Sequence, residues 1–552
     1  MIAIAILSSC SLSNNAFSRR PPWRRRLVAA LCVAAQLLSP ALSPAFAQSR
    51  LPSLGDPAAD DFSLATEHKL GEAIMHEIRA DPDYLDDPVL LEYLQSLWQP
   101  LLAQSRARGN ITPDIDQRWP WEPFLVRDKE VNAFALPGGY IGVNLGLIGM
   151  TMTRDELASV LAHEMSHITQ RHIARSIANS KHQSLLSLAA LLAGLVVASR
   201  AGSSSGDAAN AAIIGSQALG AQGQLNFSRD MEREADRVGF QVMTGAGFAP
   251  GGMAAMFEKL DQASRLNDFG GYPYLRSHPL TSERIGEARS RLGTVPPVPP
   301  VSRLEHTAAQ ARARVLMDTR FDALRRWQAL DGDRSASTPA DKLLNAYESA
   351  LASTLLRDWS RADASITAAG EIVRGAESTD TPANRDGADR RAQRAIALLN
   401  VQSLLARGDL ARANTALAPY ASDGSRPVLL LAAQAALAAA PSGVTPDNAQ
   451  LKQHADMLRT WVAIHPRDAL AWTALKQMEE RLGLPLLAVR ADAESRVALA
   501  DFDGAVDRLL AGQRRARSGA AVDFIDLSVI DARLRDVEQL RRQQKEDEKS
   551  LR

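Results

Sequence analysis

Apolar side chains recur at helical spacing from about Phe62 to Arg79 and again from about Pro88 to Ser105. A period of 3.6 residues predicts two amphipathic helices there. The texture then changes. Pro123–Arg127, Val131–Ala135 and Tyr140–Asn144 are short runs that read as strands, with Leu136-Pro137-Gly138-Gly139 as a turn between the last two. From Thr153 the helical period returns, with Thr153 as N-cap and Glu156 completing a capping box.

A proline run, Val295-Pro296-Pro297-Val298-Pro299-Pro300-Val301, forbids helix and predicts a stiff extended spacer. Beyond it nearly everything is helical. Arg357–Ala362, Gly408–Ala413 and Ala500–Ala505 share one shape: a turn, a large apolar residue, then a helix opening on alanine. His465-Pro466 followed by Ala471-Trp472 and Leu475 resembles the junction between two tetratricopeptide (TPR) units, in which a small residue lets paired helices approach closely. The irregular spacing of the three matches also leaves an unrelated helical bundle open. Arg533–Arg552 is dense in charges of both signs and reads as a solvated or frayed helix. The fold class is mainly α: an α+β first part with a small sheet, followed by an all-α TPR-like solenoid.

Length and composition narrow this little. A chain of 552 residues exceeds one compact core and predicts two or more domains. Equal numbers of basic and acidic side chains, 63 each, exclude a strongly basic nucleic-acid binder. Residues 1–47 hold five of the arginines (Arg19, Arg20, Arg24, Arg25 and Arg26) and no acid, so the remainder has 58 basic against 63 acidic groups, a net of −5. Those arginines, the apolar run Leu27–Leu38 and Ala45-Phe46-Ala47 before Gln48 predict a secretory signal peptide cleaved after Ala47. A signal anchor is the alternative, against which stand the short run and the prolines at 40 and 44. Leu7–Cys10 is a faint lipoprotein box that no positive charge precedes. Both cysteines, Cys10 and Cys32, fall in this segment, so the mature chain offers no disulfide and no thiol ligand. Leu185–Ala198 is apolar but shorter than the roughly 20 residues a spanning helix needs. It reads as a buried core helix or as one that touches a membrane peripherally.

The chemistry is carried by His163-Glu164-Met165-Ser166-His167. Four helical residues turn about 400°, so His163 and His167 project from one face, where a single tetrahedral Zn²⁺ takes both. Glu164 beside them can act as general base toward a water on the metal. Two surface histidines flanking a helical glutamate are the plain alternative. A hydrolytic zinc needs a third protein ligand and one open position. Position 173 is isoleucine, and His172 lies about 140° round the helix from His167, which predicts a polar surface residue. A carboxylate from a later helix is therefore expected. In Glu232-Arg233-Glu234-Ala235-Asp236, Glu232 and Asp236 share a face while Glu234 points about 200° away. Glu232 then ligates zinc and Asp236 orients a ligating histidine, unless the segment is simply a solvated charged helix.

With these residues in place, the chain resembles the gluzincin family of CAAX-prenyl proteases and their bacterial HtpX-like relatives. Leu161–His172 is especially similar to the periplasmic branch, which joins a secreted protease domain to carboxy-terminal TPR repeats. Asn132–Gly139 and Ser277–Arg284 match the family pattern as well, so the resemblance covers about residues 60–290. It implies a signal peptide at 1–47, a zinc metalloprotease domain at 48–294, a proline-rich linker at 295–302, TPR-like repeats at 303–535 and a charged tail at 536–552. It implies one Zn²⁺ held by His163, His167 and Glu232, Glu164 as catalytic base, and Asp236 as support for a histidine or as proton donor. Asn132, Ala133, Phe134 and Ala135 correspond to an edge strand that pairs with extended substrate. His278 corresponds to a histidine that in periplasmic relatives fills the open zinc position, and in others lies near the oxyanion with Arg284 close by. A third reading makes His278 a cap of the helix Thr281–Arg291. No long apolar run precedes His163, which argues against a membrane-embedded chamber and prenylated substrates.

The function implied is a periplasmic zinc endopeptidase that cleaves misfolded or stalled envelope proteins. Its repeats would dock substrates or the outer-membrane β-barrel assembly machinery. The alternatives are a chaperone or assembly scaffold with a latent protease site, and a non-proteolytic zinc protein, which would have no need of Glu164.

Overall fold

The computed structural model describes residues 62–179, 228–266, 273–293, 303–333, 335–377, 388–440, 443–518 and 524–551. The expected signal peptide, the apolar stretch 185–198 and the proline run 295–301 lie outside them. The fold is predominantly helical, with a small mixed sheet early in the chain and a long all-α carboxy-terminal region.

Helix α1 (Leu64–Ala80) starts at Ser63, whose hydroxyl accepts the Thr66 N–H. Helix α2 (Pro88–Ala107) starts at Asp87, with a proline at its first position where no N–H is needed. A two-residue strand β1 (Tyr84–Leu85) lies between them, and a short helix α3 (Pro113–Arg118) follows. Strands β2 (Glu122–Val126), β3 (Ala133–Leu136) and β4 (Tyr140–Asn144) complete a sheet of order β1-β2-β4-β3. β2 runs parallel to β4, while β3 is antiparallel to it and forms the edge. The β3–β4 turn needs glycine, because Gly138 and Gly139 have φ of 78° and 92°.

Next come α4 (Leu145–Met150), α5 (Arg154–Thr169), α6 (His172–Asn179), α7 (Arg229–Gly245), α8 (Gly251–Leu266), α9 (Pro273–Ser277) and α10 (Ser282–Arg291). The hub is α5. Every residue from Glu156 to Thr169 is buried, beneath packing from α2, α7, α8 and β3. Leu157, Leu161 and Met165 join Trp98, Ile141, Val242 and Phe257 in one core. Gly239 lets α7 lie close on α5, since a Cβ there would come within 3.0 Å of the Ala162 carbonyl oxygen. The Thr153 hydroxyl accepts the Glu156 N–H as the sequence predicts. The reciprocal half of the box is not made: the Glu156 carboxylate takes the Met152 N–H at 2.7 Å and Lys259 at 2.6 Å, which hold it away from the cap.

The carboxy-terminal array comprises α11 (Leu304–Leu316), α12 (Phe321–Gln328), α13 (Pro339–Leu355), α14 (Trp359–Glu377), α15 (Ala388–Ala406), α16 (Leu410–Leu417), α17 (Arg426–Ala439), α18 (Ala449–Ile464), α19 (Ala469–Arg481), α20 (Pro485–Ala498), α21 (Phe502–Ser518) and α22 (Phe524–Leu551). The three repeated openings behave alike. Asp358, Asp409 and Asp501 each accept the N–H three residues on, from Arg361, Arg412 and Gly504. Ala362, Ala413 and Ala505 are then completely buried where neighbouring helices meet.

The array is fastened to the first part of the chain from its first helix. Ala309 and Ala313 of α11 belong to the same core as α5. His306 Nε2 lies 2.9 Å from the Thr151 carbonyl, Gln310 bonds the Gly149 and Thr151 carbonyls, and Arg312 grips Asp87 through two bonds of 2.8 and 2.7 Å. Arg426 of α17 bridges Asp86 and Asp468, and Lys69 of α1 meets Asp547 of α22 at 2.7 Å. Among the described residues no helix is long and apolar enough to cross a membrane.

Candidate metal centre

Consecutive turns of α5 present His163 and His167 on one side, and their Nε2 atoms stand 2.9 Å apart. From α7, Glu232 brings Oε2 to 3.5 Å from His163 Nε2 and Oε1 to 3.4 Å from His167 Nε2. His278, just after α9, adds Nδ1 at 3.3 Å from His163 Nε2 and 2.9 Å from Glu232 Oε1. One donor atom from each of the four lies within 4.8 Å of the others, and all four residues are buried. Glu164 stands alongside. Its Oε2 accepts the Ala135 N–H at 3.0 Å, and its Oε1 lies 3.5 Å from His278 Nε2 without a hydrogen bond. Three imidazoles and a carboxylate converging in a buried site, beside a buried carboxylate oxygen with no hydrogen bond, fit a borderline cation such as Zn²⁺.

Around this set lies a tier of supporting contacts. Asp236 Oδ1 is 3.0 Å from His163 Nδ1. Arg284 clamps Asp236 through Nε and Nη2 at 2.7 and 2.9 Å, and its Nη1 meets Glu232 Oε2 and the Pro279 carbonyl. Tyr274, itself buried, stacks on the His278 ring at a centroid distance of 4.7 Å. The cap of α10 is the Thr281 hydroxyl, which accepts the Arg284 N–H, so His278 does not fill that role.

His172 departs from expectation. It is fully buried rather than a surface residue. Helix α5 ends at Thr169, and Arg171 adopts a left-handed φ of 53°, so the 140° projection along a continuous helix no longer applies. Arg171 is secured in that turn by Glu67 at 3.0 Å and the Phe62 carbonyl at 2.6 Å. His172 thereby swings back with its Nδ1 2.9 Å from His167 Nδ1, while its Nε2 meets Glu234 Oε2 at 3.1 Å. Glu234 does point away from the donor set, as its helical offset predicts, and Arg175 holds it at 2.9 Å.

The electrostatics suit a site that holds positive charge. Burial opposes protonation of His163, but the adjacent Asp236 and Glu232 carboxylates prevail and raise its pKa to about 10. Burial, reinforced by the charge on His163, drives His167 well below the ordinary histidine value. Glu232 and Asp236 are held below the usual carboxylate range, because His278 and His163 for the one, and Arg284 and His163 for the other, outweigh burial. Burial raises Glu164, partly offset by His278 and His163.

The expected edge strand is indeed the sheet edge. Asn144 N–H bonds the Asn132 carbonyl, so by antiparallel alternation residues 132, 134 and 136 bond to β4, while Ala133 and Ala135 turn their backbone outward. That outward side lies against α5 and is covered: Ala133 is fully buried. Three features escaped the sequence reading. The Ala135–Glu164 bond depends on sheet order, and the His172–Glu234 contact on a left-handed turn that an arginine does not advertise. Tyr274 had a visible signal, an aromatic four residues before His278.

A helix bearing two histidines and a glutamate, completed by a carboxylate from a later helix, defines a metallopeptidase-type site. Residues 99–292 match the model of Peptidase family M48, and this segment contributes the His/Glu cluster that could hold a metal ion. It is related to bacterial β-barrel assembly-enhancing proteases. The chain is 32% identical over 293 residues to the one from Escherichia coli K12, which is 52% of this chain and 56% of the relative. It is 36% identical over 290 residues, with the same coverage, to a provisionally named one from Vibrio cholerae. The metalloprotease LoiP of Escherichia coli K12 is 32% identical over 164 residues, 30% of this chain and 60% of that protein. The chain thus spans about half the length of the β-barrel assembly-enhancing proteases it matches.

Proposed function

We propose that this protein is a periplasmic zinc endopeptidase that removes misfolded or stalled outer-membrane proteins. The carrying observation is the four-residue donor set with Glu164 beside it. In this reading His163, His167 and Glu232 hold one Zn²⁺, which when bound supplies the Lewis acidity that acidifies a water and polarises a peptide carbonyl. Glu164 takes the proton of the attacking water through Oε1, the oxygen not engaged by Ala135, and delivers it to the leaving amine. Asp236 keeps His163 turned inward. Arg284 acts as a positioning residue for Glu232 and Asp236 rather than as an oxyanion donor, since its donors are committed to them and to Pro279. Ala133 and Ala135 pair with extended substrate once their covered edge opens.

His278 keeps the enzyme latent. Its Nδ1 stands among the donors, so the position through which a water must enter is filled, and the buried centre agrees with a resting state. The names of the relatives and the expected signal peptide support an envelope location and a role in β-barrel assembly. The helical array is read as TPR-like repeats that dock substrate or the assembly machinery. A groove of about 590 Å³ between α17, α19 and the start of α2, lined by Leu430, Leu437, Leu470, Gln434 and Gln477, offers a surface for that.

A scaffold with a silent protease site is the second reading, favoured by the same burial. Capture with Glu164→Gln separates the two. The trapped variant should accumulate uncleaved envelope proteins that the wild type degrades. If the wild type cleaves nothing, the scaffold reading takes over.

A further inference from the structure

Two of the donors in the metal centre are histidines of α5, and each has its second ring nitrogen 2.9–3.0 Å from a partner. For His163 the partner is the Asp236 carboxylate. For His167 it is another imidazole. We propose that His172 and Glu234 form a two-step positioning relay that fixes the tautomer and angle of His167.

With His167 Nε2 as the ligating atom, these contacts follow one proton assignment. His167 Nε2 is the atom turned toward His163 and Glu232. A ligating nitrogen carries no proton, so the His167 proton resides on Nδ1. Nδ1–H then donates to His172 Nδ1, 2.9 Å away. With that nitrogen accepting, the proton of neutral His172 resides on Nε2 and is donated to Glu234 Oε2 at 3.1 Å. Arg175 at 2.9 Å supplies a cation to the far end. One helix, α7, therefore supports both histidines: Asp236 touches His163 directly, and Glu234 reaches His167 through an imidazole spacer. Carboxylates that hold ligating histidines in this way strengthen metal binding about 10–100-fold.

The relay rests on the zinc reading above, and metal affinity tests both without recourse to activity. Zinc dissociation constants would be measured by chelator competition on the full-length protein, for wild type, Glu234→Ala, Glu234→Gln, His172→Phe and the double variant Glu234→Ala/His172→Phe. Glu234 is partly exposed, so its variants test the relay without disturbing a packed core. The expected result is one zinc in every variant, held about 10–100-fold more weakly in Glu234→Ala, with Glu234→Gln between it and wild type. The double variant should be no weaker than His172→Phe alone, since the two residues act in series. Imidazole ¹⁵N shifts of the zinc-loaded wild type should report a protonated Nδ1 on His167 and a protonated Nε2 on His172. An affinity within twofold of wild type for Glu234→Ala, multiplicative losses in the double variant, or the opposite tautomers would overturn the relay while leaving the zinc reading intact. A wild type that takes up no zinc would remove both.

Discussion

His278 Nδ1 lies 2.9 Å from Glu232 Oε1, inside the cluster of donor atoms formed with His163 and His167. The stacked ring of Tyr274 holds it there. His278→Ala is expected to raise basal cleavage of an unfolded substrate severalfold while zinc content stays at one per chain, because His163, His167 and Glu232 remain. Sharply lower turnover would instead make His278 an oxyanion donor, and the latency would have to be abandoned.

In the proposed assignment, base and ligands are separate residues. Glu164→Gln should reduce peptide hydrolysis by at least about a hundredfold with the zinc still in place. Metal analysis of the purified variant is the check, and zinc lost along with activity would mean that Glu164 had been given the wrong role.

Glu232 and Glu234 lie two residues apart on α7 and face different ways. At saturating zinc, Glu232→Ala should fail to retain the metal, whereas Glu234→Ala should still bind one ion, though more weakly. The reverse pattern in an atomic-absorption titration would shift the ligand assignment by half a helical turn.

His306 gives a stability prediction away from the metal. Its Nε2–H donates to the Thr151 carbonyl, and its Nδ1 lies 2.6 Å from the Tyr93 hydroxyl. Burial, with Lys259 and Arg154 nearby and only partly countered by the Thr151 carbonyl and Asp155, lowers its pKa from 6.5 to about 4. The unfolded chain therefore binds a proton that the native state refuses as pH falls from about 6.5 to about 4. Over that window stability should drop by at most about 3 kcal/mol through this residue. Urea titrations of wild type and His306→Gln at pH 7.5 and pH 5 should show a smaller acid-induced loss in the variant. Equal losses would mean the ring is not protonated on unfolding alone.

Much of this site was legible because its pieces are local. The spacing of His163 and His167, and of Glu232 and Asp236, is a helical spacing, and α5 and α7 are regular helices. Three of the four strands were found to within two residues, β4 at its observed ends, while the two-residue β1 (Tyr84–Leu85) carries no periodic signal of its own and was not foreseen. Register and order are another matter: nothing in residues 122–126 or 140–144 announces that they pair parallel, and that pairing is what makes Ala133 and Ala135 an edge facing Glu164. The misreading of His172 has a single cause, a helix assumed to continue through Arg171. A left-handed residue is anticipated from glycine or asparagine; here the conformation is enforced by Glu67 and Phe62, some hundred positions earlier, and one sequence gives no sight of that.

The union of α11 with the core around α5 bears on how such proteins can be recombined. The prolines at 296–300 look like the natural place to cut, yet Leu304–Leu316 lies beyond them and supplies Ala309, Ala313 and the donors to the Gly149 and Thr151 carbonyls. A chain ended at the prolines would keep every metal-centre residue and lose part of its own interior. In any exchange of the helical array between relatives, Leu304–Leu316 has to travel with the part of the chain before the prolines, and the ion pairs Arg426–Asp86 and Lys69–Asp547 have to be matched across the new junction.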